Sequence, residues 1–224
     1  MVDDGTDSDA DEDALAQPAG SGDYVVSNGD CFASIAYEHG FFWETLWKLP
    51  ENADLRNARK DPNILMAGDR VTIPDITPKS VTRATGARHQ FRRRGVPEKV
   101  RLRLTDEVSG DRKSLDYELY IDDADQPRRG STNEQGLLDE WIPPNARKGR
   151  LVLPNGETIA LAFGNLDPVN SYPGARARLI NLRLMAPGED FDAALVTFQE
   201  NEGLDVSGEL DEATQAKLVE LHGC

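Results

Sequence analysis

Three kinds of periodicity follow one another along this chain. Tyr24 to Val26 is a short β-rich run, and Asn28-Gly29 after it is a turn dipeptide. Phe32, Ile35, Ala36 and His39 then fall at i, i+3, i+4 and i+7, one face of a helix, with Asp30 as its expected cap and Gly40 as its stop. A second helix is expected around Trp43 to Leu49, with Phe42, Leu46 and Leu49 on one side and Pro50 ending it. A charged link carrying Glu51, Asp54, Arg56, Arg59 and Lys60 runs from Pro50 to Asp61. Arg70 to Ile73 alternates polar and apolar positions, as a half-buried strand does, and Pro74 closes it. The predicted order is strand, helix, helix, strand.

The middle of the chain has a period of two. Val100, Leu102 and Leu104 alternate with Arg101 and Arg103, and Leu115, Tyr117, Leu119 and Ile121 alternate with Asp116, Glu118, Tyr120 and Asp122. Asp122 to Pro127 reads as a turn. Pro154-Asn155-Gly156 joins Leu151-Val152-Leu153 to Ile159, Leu161 and Phe163 as a hairpin. A small antiparallel β-sandwich over residues 96–168 accounts for this pattern. Asp122, Asp123 and Asp125 lack the Gly and the closing Glu of an EF-hand, so they are read as a solvated turn. From 172 onward the helical period returns. Ala175, Leu179 and Leu182 share one face, Phe191, Leu195 and Phe198 another, Gly203 is a stop and Asp211 a cap.

Residues 23–75 resemble a LysM domain. The likeness lies in Tyr24-Val25-Val26-Ser27-Asn28-Gly29-Asp30, in Ser34-Ile35-Ala36, and in the run Pro62-Asn63-Ile64-Leu65-Met66-Ala67-Gly68-Asp69-Arg70-Val71-Thr72-Ile73-Pro74. It implies a shallow groove for N-acetylglucosamine polymers such as peptidoglycan. By position the groove residues are Gly29, Asp30, Cys31 and Phe32 in one loop, and Asn63, Ile64, Leu65 and Met66 in the other. Backbone groups there would bond the acetamido group while apolar side chains cover a sugar face. Cys31 stands where relatives carry Thr or Ser. The other use implied for such a unit is docking onto a protein.

Thr132-Asn133-Glu134-Gln135-Gly136-Leu137-Leu138, followed by Trp141-Ile142-Pro143-Pro144, resembles the turn of transthyretin-like and carboxypeptidase-regulatory-like sandwiches. Ala193 to Leu204 and Val206 to Thr214 are similar to the three-helix peptidoglycan-binding-like domain of cell-wall hydrolases. The fold class implied is multidomain α+β: a βααβ LysM domain (23–75), a small antiparallel β-sandwich (96–168) and a three-helix peptidoglycan-binding-like domain (172–224).

Composition narrows the partners. The 224 residues carry a net charge of −15, with 38% hydrophobic and 29% charged positions. No run approaches the ~20 apolar residues of a membrane span. Residues 1–22 are expected to be a disordered acidic tail, since eight acids and no base lie in residues 1–23. With neither a positive n-region nor an apolar h-region, the start does not read as a Sec-type signal. The expected place is therefore the cytoplasm as synthesised, with delivery to the periplasm or envelope by a signal-independent machine. Residues 76–95 are expected to form a basic linker ending in His89-Gln90-Phe91-Arg92-Arg93-Arg94-Gly95, and an acidic partner or the chain's own acidic segments suit it better than nucleic acid on so acidic a chain. Residues 185–224 hold ten acids against one Lys, a net of −9, which suits solvation or a basic protein partner better than a wall polymer rich in carboxylates.

Little points to chemistry. Cys31 and Cys224 fit free thiols better than a disulfide framework, and they and the three histidines lack ligand spacing, so neither metal nor cofactor is expected. His222-Gly223-Cys224 matches the active-site triplet of L,D-transpeptidases but falls at the last residue, with no fold left to position it. No nucleophile–base set or phosphate loop is present, so a non-enzyme is expected. The leading expectation is a peptidoglycan-binding protein linked to a secretion or envelope machine. The alternative is an adaptor of a type VI or phage-like contractile injection machine, whose LysM unit docks spike or baseplate proteins. An accessory module of a wall hydrolase acting in trans is the third.

Overall fold

The computed structural model describes residues 15–77, 80–90, 98–106 and 110–223. Most of the acidic run, the Phe91–Gly95 part of the basic run, and Cys224 lie outside these residues. The chain is mixed α and β, with its described elements gathered around three apolar cores.

The first unit holds β1 (Tyr24–Val25), α1 (Phe32–Glu38), α2 (Trp43–Trp47), a 3-10 turn (Pro50–Asn52), α3 (Ala53–Arg59) and β2 (Arg70–Val71). β1 and β2 pair antiparallel, Tyr24 opposite Val71. Val26, Phe32, Ile35, Ala36, Leu46, Leu55, Leu65 and Val71 form the core beneath them. The expected strand–helix–helix–strand order gains a helix, because the charged link is α3. Leu55 is fully buried there, and buried Arg59 forms a fork with Asp69 at 2.6 and 2.8 Å. Asn52 locks the turn before it, donating to the carbonyls of Leu46 and Thr72 while accepting from Thr72 N–H.

Three further expectations are corrected. The cap of α1 is Cys31, whose sulfur accepts from Ser34 N–H while Ser34 Oγ accepts from Cys31 N–H, a capping box. Asp30 is one residue too early to cap and faces elsewhere. Residues 15–22, expected to belong to the disordered acidic tail, include packed positions: Ala16 is buried, and Ala19 N–H donates to Asp69 at 2.8 Å. Phe42 begins α2 as its exposed cap residue and does not share the buried side of Leu46.

The second unit is antiparallel throughout its described strands. These are β3 (Glu98–Arg103), β4 (Thr105–Asp106), β5 (Gly110–Asp111), β6 (Asp116–Ile121), β7 (Arg128–Ser131), β8 (Leu137–Ile142), β9 (Lys148–Val152) and β10 (Thr158–Ala162). A four-stranded sheet in the order β10-β9-β6-β7 and the pair β3-β8 share one core, built on Val100, Tyr117, Leu119, Ile121, Leu138, Ile142 and Leu151. The alternation of Tyr117, Leu119 and Ile121 with polar neighbours is the buried face of β6.

The third unit comprises α4 (Tyr172–Asn181), α5 (Phe191–Glu202) and α6 (Glu212–His222). Its core is Ala175, Leu179, Met185, Ala194, Phe198 and Leu218. Asp211 caps α6, and Gly203 ends α5 in the left-handed conformation, as their sequence positions predict. Between these two helices the amide of buried Gln199 binds Ser207, Gly208, Glu209 and Thr214 and fixes the connecting loop.

Candidate functional site

The two loops expected to bound a sugar groove are brought together. Phe32 N–H donates to the carbonyl of Pro62 at 2.9 Å, tying the start of α1 to the loop before β2. Phe32 and Leu65 lie in the same core. Of the eight expected residues, Gly29, Asp30, Cys31, Phe32, Ile64 and Leu65 are buried, Met66 is half-buried and Asn63 is exposed.

The backbone of these loops is largely engaged. Asp30 N–H bonds Ser27, Cys31 N–H bonds Ser34, and Phe32 N–H bonds Pro62. Asn63 N–H donates to the Asp61 carboxylate, Ile64 N–H to the Asp61 carbonyl, and Met66 N–H to Asp69 Oδ2 at 2.9 Å. Six of the eight N–H groups thus have partners inside the chain.

Asp30 is the centre of the site. Its side chain is 5% exposed, and Oδ2 accepts from Tyr24 Oη at 3.0 Å and from Ser27 N–H at 2.9 Å. The other oxygen, Oδ1, accepts from Arg147 Nη2 at 2.7 Å. Arg147 Nη1 donates to the carbonyl of Gly29, and Glu38 stands 3.8 Å from the same guanidinium. Arg147 belongs to the loop between β8 and β9, so the second unit reaches into the first at the loop expected to take sugar. Burial works against its charge, but the bond to Asp30 and the charges of Asp30 and Glu38 hold its pKa above the usual value.

Gly164 completes the contact. It has φ +71°, and a Cβ placed on it would come within 2.4 Å of the Gly29 carbonyl oxygen. Only a glycine allows this approach. Tyr24 packs edge-on against His39, with ring centroids 5.6 Å apart. Burial, with the bond to Asp30 second, pushes the Tyr24 hydroxyl up to about 12. Burial likewise raises the Cys31 thiol, which disfavours its nucleophilic thiolate.

Arg147, Gly164 and Tyr24 are site residues that the sequence reading did not single out. The bond from Arg147 to Asp30 spans 117 positions, and nothing local to Asn145-Ala146-Arg147-Lys148 marks it.

Other features carry less chemistry. A cleft of about 590 Å³ opens on the second unit beside Asp116, Glu118, Arg129 and Ser131, but Glu118 is paired with Arg129 and Asp116 accepts from Ser131. Among the described residues no group of three or more His, Cys, Asp or Glu is placed to hold a metal, and no helix is long and apolar enough to cross a membrane. The chain matches no family profile, no curated protein and no solved structure. The LysM and peptidoglycan-binding-like resemblances therefore rest on their motifs.

Proposed function

We propose that this chain is a non-catalytic docking protein whose LysM-like unit engages protein and not glycan, as an adaptor of a secretion or contractile injection machine would. One observation carries the reading: Arg147 occupies the Gly29 carbonyl and the Asp30 carboxylate, so the groove loop already has a protein ligand from its own chain. A neutral acetamido group would have to displace a guanidinium held by a buried carboxylate, and charge-assisted bonds of this kind are roughly twice as strong as neutral ones. The strong negative charge of the helical unit favours a basic protein partner over a wall polymer bearing carboxylates.

A second reading, binding of peptidoglycan or another N-acetylglucosamine polymer, keeps support from one observation. The two loops are joined through Phe32 and Pro62, with Asn63 exposed and Met66 half-exposed on their rim. Co-sedimentation with purified insoluble peptidoglycan and with chitin separates the two. The docking reading expects the chain to stay in the supernatant with both. Retention that is lost in Asn63→Ala, an exposed position on the rim, but kept in a distant surface variant such as Arg101→Ser would establish the glycan reading in its place.

A further inference from the structure

We infer that the Gly29–Asp30 loop is a guanidinium seat, the point through which this unit docks an arginine-bearing loop of a partner protein. The inference rests on the docking reading and names its chemistry. In this structure the seat is filled by the chain's own Arg147. Tyr24 and Ser27 hold one oxygen of the Asp30 carboxylate, which leaves Oδ1 directed at Arg147 beside the Gly29 carbonyl. Two acceptors side by side, with the Glu38 carboxylate behind them, suit the planar two-nitrogen edge of a guanidinium. An ammonium, a single compact charge, cannot serve both acceptors with the same alignment.

Access follows from the difference in burial. The Asp30 side chain is 5% exposed, whereas the Arg147 side chain is 39% exposed. The acceptors are deep, and the group that fills them comes from the surface. In the closed chain Arg147 holds the seat. A partner that presents an arginine competes for it, and the net charge of −15 draws basic partners toward the chain.

Chemical rescue in the full-length chain tests this. Arg147→Ala is expected to lower the Tm by about 3–8 °C and to speed amide exchange over residues 29–32, because a buried carboxylate loses its charged partner. Methylguanidinium is expected to restore at least half of both changes, while methylammonium at the same concentration and ionic strength restores neither. Asp30→Asn in the same background is expected to abolish the rescue. Arg147→Gln, which keeps much of the aliphatic stem, serves if the alanine variant fails to fold. Equal rescue by both cations, or by neither, would overturn the seat. A dimer of the intact chain that dissociates on Arg147→Ala would make the occupant a second copy and overturn the partner assignment. Selective rescue together with retention on peptidoglycan would keep the seat and remove the docking reading. Absence of both would do the reverse.

Discussion

Arg147 and Asp30, 117 residues apart, meet at 2.7 Å across the boundary between the β unit and the LysM-like unit. Their contact decides how the groove loop is read. A loop whose carboxylate and carbonyl are both occupied by a guanidinium presents little polar surface to a sugar. In this chain the group that takes both of them is Arg147.

A buried ion pair holds the first unit together. Asp69 is fully buried and accepts from Arg59, Ala19 and Met66. Asp69→Ala strands a buried guanidinium and is expected to cost about 3–5 kcal/mol. Denaturant unfolding measures this, and a cost below about 1 kcal/mol would show that the fork is dispensable.

Cys31 is expected to act as a cap and not as a reactive thiol. Cys31→Ala should cost about 0.5–2 kcal/mol, and Cys31→Ser should retain or improve stability, since a hydroxyl accepts from Ser34 N–H better than sulfur does. In a Cys224→Ser background, iodoacetamide should label Cys31 far more slowly in the native chain than in urea. Rapid native labelling would contradict the burial of this thiol.

Tyr24 gives the unit an alkaline limit. Its folded pKa of about 12 lies above the ordinary value of 10, so the neutral hydroxyl is the form the fold favours. Its contribution is complete below pH 10 and is lost as pH rises toward 12. Wild type is therefore expected to lose stability across that interval more steeply than Tyr24→Phe. Parallel slopes, measured by unfolding at each pH, would remove Tyr24 from the account.

Gln199 is expected to govern one loop alone. Gln199→Leu leaves Gly208 N–H and the neighbouring hydroxyls without their buried partner, at about 1–3 kcal/mol. Amide exchange should quicken over residues 203–211 and stay unchanged over 29–32. Changes of equal size in both places would mean that the helical unit and the groove loop are coupled.

How much of this was legible in the sequence depended on range. Strand β6, the stop at Gly203 and the cap at Asp211 follow from period and residue type, and they form as read. Helix α3 was hidden because its stabilising contacts, Leu55 in the core and Arg59 on Asp69, are made with distant residues while its surface is charged. The cap passed from Asp30 to Cys31 because Asp30 is drawn to Tyr24, Ser27 and Arg147, and of these Arg147 comes from another unit. The two loops were expected as neighbours because the LysM resemblance implies a groove between them, and Phe32 N–H on the Pro62 carbonyl joins them. What covers them was not, because an arginine in a β-unit loop carries no mark of the carboxylate it will meet.

A double-mutant cycle between Arg147 and Asp30, using Arg147→Ala and Asp30→Asn singly and together, measures whether the two side chains hold each other. If the guanidinium is seated on the carboxylate, each single change destabilises and the pair is non-additive by about 1–2 kcal/mol. Additivity within about 0.3 kcal/mol would mean that the two residues do not hold each other, and the groove loop would be open to other ligands.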